Sequence, residues 1–79
     1  VPLDPLPEWA VAQQRAFGEH LRDLRRAAGL SQIQLGERAG RDHKTIHRWE
    51  TGATWPDLMD LILLAHGLGI SLVELVQDR

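Results

Sequence analysis

Apolar residues recur along most of this chain at spacings of three and four, the period of an α-helix, and nowhere alternate with the period of two that marks a half-buried strand. The first such stretch runs from Glu8 to Ala28. Phe17, Leu21, Leu24 and Ala28 form an apolar stripe, and Trp9, Ala12 and Ala16 extend it backwards. No proline interrupts it. Gly29 ends it, in the left-handed conformation that closes many helices. Gly18 weakens the stretch by about 1 kcal/mol relative to alanine, so the pattern fits either one long helix or a short helix followed by another. Ahead of it, Pro2, Pro5 and Pro7 mark residues 1–7 as an extended arm with little to bury, and Pro7 suits the first helical position, where a missing N–H costs nothing.

Ser31 and Gln34 form a capping box for a short second helix with Ile33, Leu35 and Ala39 apolar, and Gly40 closes it. Asp42 can cap the helix that follows by accepting a backbone N–H of its first turn. Ile46 and Trp49 then face inward, while His43, Lys44, His47 and Arg48 fall on the outer face. Gly52 stops this helix. Pro56-Asp57 opens a fourth, with Leu58, Leu61, Ile62, Leu64, Ala65 and Leu68 expected on its buried side and Gly67 and Gly69 at its end. Ser71 and Glu74 cap a last short helix bearing Leu72, Leu75 and Val76. The pattern predicts an all-α fold, a compact bundle of four to five short helices around one core, with residues 1–14 as an N-terminal extension and 15–79 as the domain proper.

Length allows one domain: 79 residues, 43% hydrophobic and 25% charged. The absence of cysteine excludes disulfides and thiolate metal sites and suits a reducing cytoplasm. The longest uninterrupted apolar run, Leu61 to Ala65, is far short of the roughly 20 residues that span a bilayer. The proline-rich, acidic start does not read as a signal peptide, and a chain beginning at Val1 reads as a fragment or a processed product. Net charge is −2, which by itself argues against a nucleic-acid partner. Its distribution changes that reading. Residues 22–48 carry Arg22, Arg25, Arg26, Arg38, Arg41, Lys44 and Arg48 against Asp23, Glu37 and Asp42, a local +4, whereas residues 1–21 sum to −2 and residues 49–79 to −4. A basic centre between acidic flanks can attract phosphates on one face, or it can be an ordinary mixed surface.

Two short helices joined by a glycine-containing turn are the signature of a helix-turn-helix, whose second helix enters the DNA major groove. The motif needs a capped first helix, a turn residue free of a Cβ, and a second helix that is apolar inside and rich in donors outside. Residues 32–49 meet these demands, as some other helical hairpins would. Over about Phe17 to Val76, through the stretches FGEHLRDLRRAAGLSQIQL, RAGRDHKTIHRWETG and WPDLMDLILLAHGLGISLVELV, the chain resembles the phage-repressor and Cro-like (XRE-type) helix-turn-helix family.

That resemblance implies a lambda-repressor-like domain of a prokaryotic or phage transcriptional regulator. It would bind double-stranded DNA in a sequence-specific manner, as a homodimer, with the recognition helix at about 43–51. It places His43, Lys44 and Arg48 on base edges and Gln32 on a phosphate. It sets Thr45 and His47 beside them on phosphate or groove wall, with Arg41 and Thr51 near the backbone path. It pairs Arg25 with Glu50 to tie the first helix to the recognition helix. Arginine and lysine can donate to guanine O6 and N7, which fits Arg48 or Lys44 as a guanine reader. Three features depart from the family pattern. Gly36 stands where alanine is usual and is expected to loosen the second helix, Arg41 replaces an apolar residue, and the stretch 52–55 carries no Lys or Arg.

Other chemistry is poorly supported. His43 and His47 stand four apart, a spacing that can ligate a metal, but with no third ligand in sight they read as a solvated or DNA-facing pair. No nucleophile–base arrangement is visible, and Ser31 and Ser71 serve as caps, with His20 and His66 as partly exposed helix residues. No enzyme activity, metal, cofactor, membrane or small-molecule ligand is expected. Trp49 is expected in the core, Trp55 either packs or anchors a surface, and Trp9, in the backward extension of the first stripe, packs either on the domain or on a partner chain. Arg25–Glu50 is either an exposed pair or a buried strut, the resemblance favouring the latter. Dimerisation can use the 9–16 segment or the last helix. A protein-interaction module that keeps the fold without DNA binding is the other functional reading.

Overall fold

The computed structural model describes residues 5–77, in which five α-helices and no strand are found: α1 (Glu8–Ala27), α2 (Gln32–Ala39), α3 (His43–Thr51), α4 (Leu58–Leu68) and α5 (Leu72–Val76). The proposed arm falls partly outside these residues, at 1–4 with Pro2, while residues 5–7 are irregular and exposed. The first stretch is one continuous helix, not two. Pro7 sits at its N-cap, one position earlier than expected, and its carbonyl accepts the N–H groups of Ala10 and Val11 at 3.0 and 3.2 Å.

The expected punctuation is present. Ser31 and Gln34 complete both halves of the capping box, and the Asp42 carboxylate accepts the Lys44 N–H. Asp57 and Asp60 form a further box at α4, and the Ser71 side chain caps α5. Such caps satisfy N–H groups that a helix cannot pair within itself, each worth about 1 kcal/mol.

Each helix sends one completely buried side chain into the centre: Leu21, Leu35, Ile46, Leu64 and Leu75. Burial stabilises each by about 1.5–3 kcal/mol. Leu30, Ala39, Trp49, Ala65 and Leu68 complete the core, and Phe17 and Leu24 pack at its margin. α2 and α3 pack on each other. α2 also lies on α4, α1 on α3, and α5 closes the bundle against α4 and α1.

Two expected apolar faces are shifted. On α4 the buried side is Leu64, Ala65 and Leu68, with Leu61 partly covered; Leu58 and Ile62 are exposed, beside the exposed Met59. A helix turns about 100° per residue. Residues 61, 64, 65 and 68 therefore share one arc, and 58, 59 and 62 fall on the adjoining arc, which the neighbouring helices do not reach. On α1, Trp9 is 72% exposed and Ala12 and Ala16 are also exposed. The buried residues are Gln14, Gly18 and Leu21.

Gly18 explains that choice. A Cβ there would lie 2.4 Å from the Glu50 carbonyl oxygen and 2.5 Å from that of Trp49. α1 therefore docks on the α3 backbone through its narrowest residue. Gly36 has a similar part within the motif. A Cβ would meet the Arg41 carbonyl oxygen at 2.4 Å, and the Arg41 N–H donates to the Gly36 carbonyl at 2.8 Å. The expected loosening of α2 is not what this glycine does; it admits the backbone of the turn. Gly40, with φ at 68°, supplies the left-handed residue that ends α2.

Candidate nucleic-acid interface

Helix α3 is divided by burial into two faces. Ile46, Trp49 and Glu50 are buried, and His43, Lys44, His47, Arg48 and Thr51 are exposed, with Thr45 between. A nine-residue helix with three inward positions cannot hold itself in water; its orientation comes from what grips the inner face. Ile46 and Trp49 join the core, and Glu50 is gripped by charge.

The Glu50 side chain is 2% exposed and the Arg25 side chain 11%. Arg25 Nε donates to Glu50 Oε2 at 2.7 Å and Nη2 donates to Oε1 at 3.0 Å, a planar two-bond match of guanidinium to carboxylate. Arg25 Nη1 donates to the Leu30 carbonyl at 3.0 Å, so the same guanidinium also holds the end of α1. Its bonds to Glu50 raise the Arg25 pKa above the ordinary arginine value. The pair is a buried strut, and it fastens α1 to the recognition helix.

Gln32, in the first turn of α2, adds a third donor. Its Nε2 lies 3.2 Å from Glu50 Oε1 and 3.4 Å from His47 Nδ1. Gln32 thus bridges the buried carboxylate and the exposed face, contacts the linear sequence did not reveal. At the other end of α3, Asp42 Oδ1 accepts the Lys44 N–H at 3.0 Å and lies 3.1 Å from His43 Nδ1. That backbone hydrogen bond, with His43, Lys44 and Arg48 nearby, holds the Asp42 carboxyl below the usual carboxylate range. Lys44 and Arg48 make no ion pair within the described residues.

Arg41 stands apart from the other site residues. Its Nε donates to Asp60 Oδ1 at 2.7 Å and its Nη1 to the Gly40 carbonyl at 3.0 Å, turning it towards the start of α4. Burial opposes ionisation of Asp60, but the Asp57 N–H and the Arg41 guanidinium outweigh it and lower its pKa. Thr51 Oγ1 donates back to the Arg48 carbonyl at 3.2 Å. After α3, the loop with no Lys or Arg folds Trp55 onto Phe17, ring centres 6.1 Å apart, so Trp55 packs while remaining 48% exposed.

A capped short helix, a glycine turn and a second helix with a donor-rich outer face, clamped by a buried ion pair, define a helix-turn-helix DNA-binding domain. The chain belongs to the helix-turn-helix domain family, which matches residues 16–77. It is a sequence-specific DNA-binding domain of a transcriptional regulator.

Solved structures agree. The chain is similar to the restriction-modification controller protein C.AhdI from Aeromonas hydrophila, at 38% identity and a TM-score of 0.79, over 81% of this chain and 97% of that one. It is similar to ComR from Streptococcus suis at 28% identity and a TM-score of 0.74, over 84% of this chain but only 22% of that one. It shares the fold of the clp gene regulator ClgR from C. glutamicum, at 23% identity and a TM-score of 0.76, over 92% and 87% of the two chains. No curated protein sequence matches it significantly. Among the described residues no helix is long and apolar enough to cross a membrane.

Proposed function

We propose that α3 lies in the major groove, with His43, Lys44 and Arg48 on base edges and Gln32, Thr45, His47 and Thr51 along the phosphate path. The observation that carries this reading is the division of α3: one face locked into the core through Ile46, Trp49 and Glu50, the other presenting His43, Lys44, His47 and Arg48 to solvent. Lys44 and Arg48, without an ion pair among the described residues, have their charge available for guanine or phosphate. Arg41 reaches a phosphate through Nη2, or by giving up Asp60. At the start of α2, the backbone N–H groups that the Ser31 cap leaves unused can meet a phosphate oxygen, which substitutes in part for the lysines and arginines that the 52–55 stretch lacks.

The protein acts as a homodimer on a roughly palindromic site, with half-sites about one helical turn apart so that both recognition helices meet the same side of the duplex. It works in the cytoplasm, on the nucleoid, and catalyses no reaction. Selection of bound DNA from a random pool tests this reading and returns sequence, symmetry and spacing together. Titration against salt is the companion measurement: affinity must fall steeply as salt rises, because phosphate contacts release counterions. Binding that is absent, or indifferent to salt, would instead favour a domain that keeps the fold for protein contacts.

A further inference from the structure

Both Nε2 hydrogens of Gln32 have partners inside the domain, so its part on the phosphate path is played through His47: its carboxamide joins the buried ion pair to the recognition face. Its Nε2 carries two hydrogens. One points at Glu50 Oε1, 3.2 Å away, which already accepts Arg25 Nη2 at 3.0 Å. The orientation of the amide is dictated by that carboxylate. Inverted, Gln32 would set its own carbonyl oxygen against Glu50 Oε1, two acceptors face to face in a part-buried place. The second N–H is then directed at His47 Nδ1, 3.4 Å away. A donor facing Nδ1 requires that nitrogen to be bare, and a neutral imidazole with a bare Nδ1 carries its proton on Nε2.

We infer that Gln32 is a positioning residue that sets the orientation and tautomer of His47, so that residue 47 offers DNA a single N–H donor and no acceptor. The chain of contacts runs Arg25, Glu50, Gln32, His47. It starts on α1, crosses α2 and ends on the exposed face of α3, one turn from the buried Glu50. The chemistry His47 selects is therefore an acceptor: guanine O6 or N7, another acceptor on a base edge, or a phosphate oxygen. It disfavours the exocyclic amino groups of adenine and cytosine, which are donors. This inference rests on the proposed placement of α3 in the groove, and its first test does not.

That test is nitrogen-15 NMR of the imidazole side chains in the free protein at about pH 8, above the ordinary histidine pKa of about 6.5. The proton should reside on His47 Nε2, and Gln32→Ala should shift the His47 Nδ1 resonance as its donor is lost. Conversely, His47→Ala should move the Gln32 side-chain amide resonances, a readout that stands even if Gln32→Ala folds poorly. A proton on Nδ1, or resonances unmoved by either change, overturns the inference. The second test is a double-mutant cycle on affinity for the selected DNA. Gln32→Ala should weaken binding about fivefold, the size of one modest hydrogen bond, and should have almost no effect in a His47→Ala background. Equal losses in both backgrounds would show Gln32 acting on DNA by itself. In the selected site, His47→Ala relaxes one base position if the acceptor is on a base, and weakens all sequences alike if it is a phosphate oxygen. Failure to select any DNA would defeat the groove placement and leave the NMR outcome to decide the tautomer.

Discussion

Replacing Glu50 by alanine removes the acceptor on which α1, α2 and α3 converge. Three donors lose their partner: Arg25 Nε, Arg25 Nη2 and Gln32 Nε2, at 2.7, 3.0 and 3.2 Å. A buried donor left unpaired costs about 1 kcal/mol or more, which puts the three together at about 3 kcal/mol. The charge argument leads to the same size. Removing one partner of a buried ion pair costs about 3–5 kcal/mol, because the other charge stays behind without compensation, and the Arg25 side chain is 11% exposed, with little room to reach water. A domain of this size shifts its melting temperature by about 4–8 °C per kcal/mol, so Glu50→Ala should melt at least about 12 °C below the parent. Circular dichroism at 222 nm against temperature, with urea unfolding alongside, measures it. The double variant Arg25→Met, Glu50→Met is the control: exchanging both partners for apolar groups should recover most of the loss. A fall of less than about 3 °C for Glu50→Ala, or a double variant no better than the single one, would refute the strut.

Gly18→Ala should destabilise the domain by about 1–3 kcal/mol, the usual cost of overpacking, despite alanine's better helix propensity, because the new Cβ meets two α3 carbonyl oxygens. A raised melting temperature would contradict the close approach of α1 to α3. The depressed Asp60 pKa predicts a pH effect. A carboxyl whose folded pKa lies below its unfolded value of about 3.9 adds stability above that pH and loses it as pH falls through the folded pKa. Asp60→Asn should therefore melt below the parent at pH 7, and the gap should close on acidification; a gap constant with pH would exclude the Arg41–Asp60 pair as its source. Arg48→Ala should cost about 1–3 kcal/mol of DNA affinity at one base position and relax preference there. A uniform loss over all sites, measured on the selected operator and its single-base variants, would make Arg48 a phosphate contact.

The sequence alone determined the elements, because their signals are local. Ser31 with Gln34, Asp42, and Ser71 with Glu74 announce helix starts through side chains that reach backbone N–H groups two or three residues away. Gly40 and Gly52 mark helix ends by the left-handed backbone they tolerate. From these signals and the 3.6-residue period came the all-α class, the motif at 32–49 and the outward face of α3. Tertiary structure decided which faces are buried and which polar groups meet. The apolar stripe put Phe17, Leu21 and Leu24 of α1 at the core, but its backward extension through Trp9, Ala12 and Ala16 is exposed, and Gln14 and Gly18 are buried there instead; at Gly18, close approach to the α3 carbonyls rewards the absence of a side chain. Leu58 and Ile62 looked buried because a period cannot say how wide an arc the neighbours will cover. The resemblance paired Arg25 with Glu50. Its burial, the bridge of Gln32 to His47, and the capture of Arg41 by Asp60 depend on distances across the bundle, where contacts between residues 15 to 25 apart in sequence are made only once the core has formed.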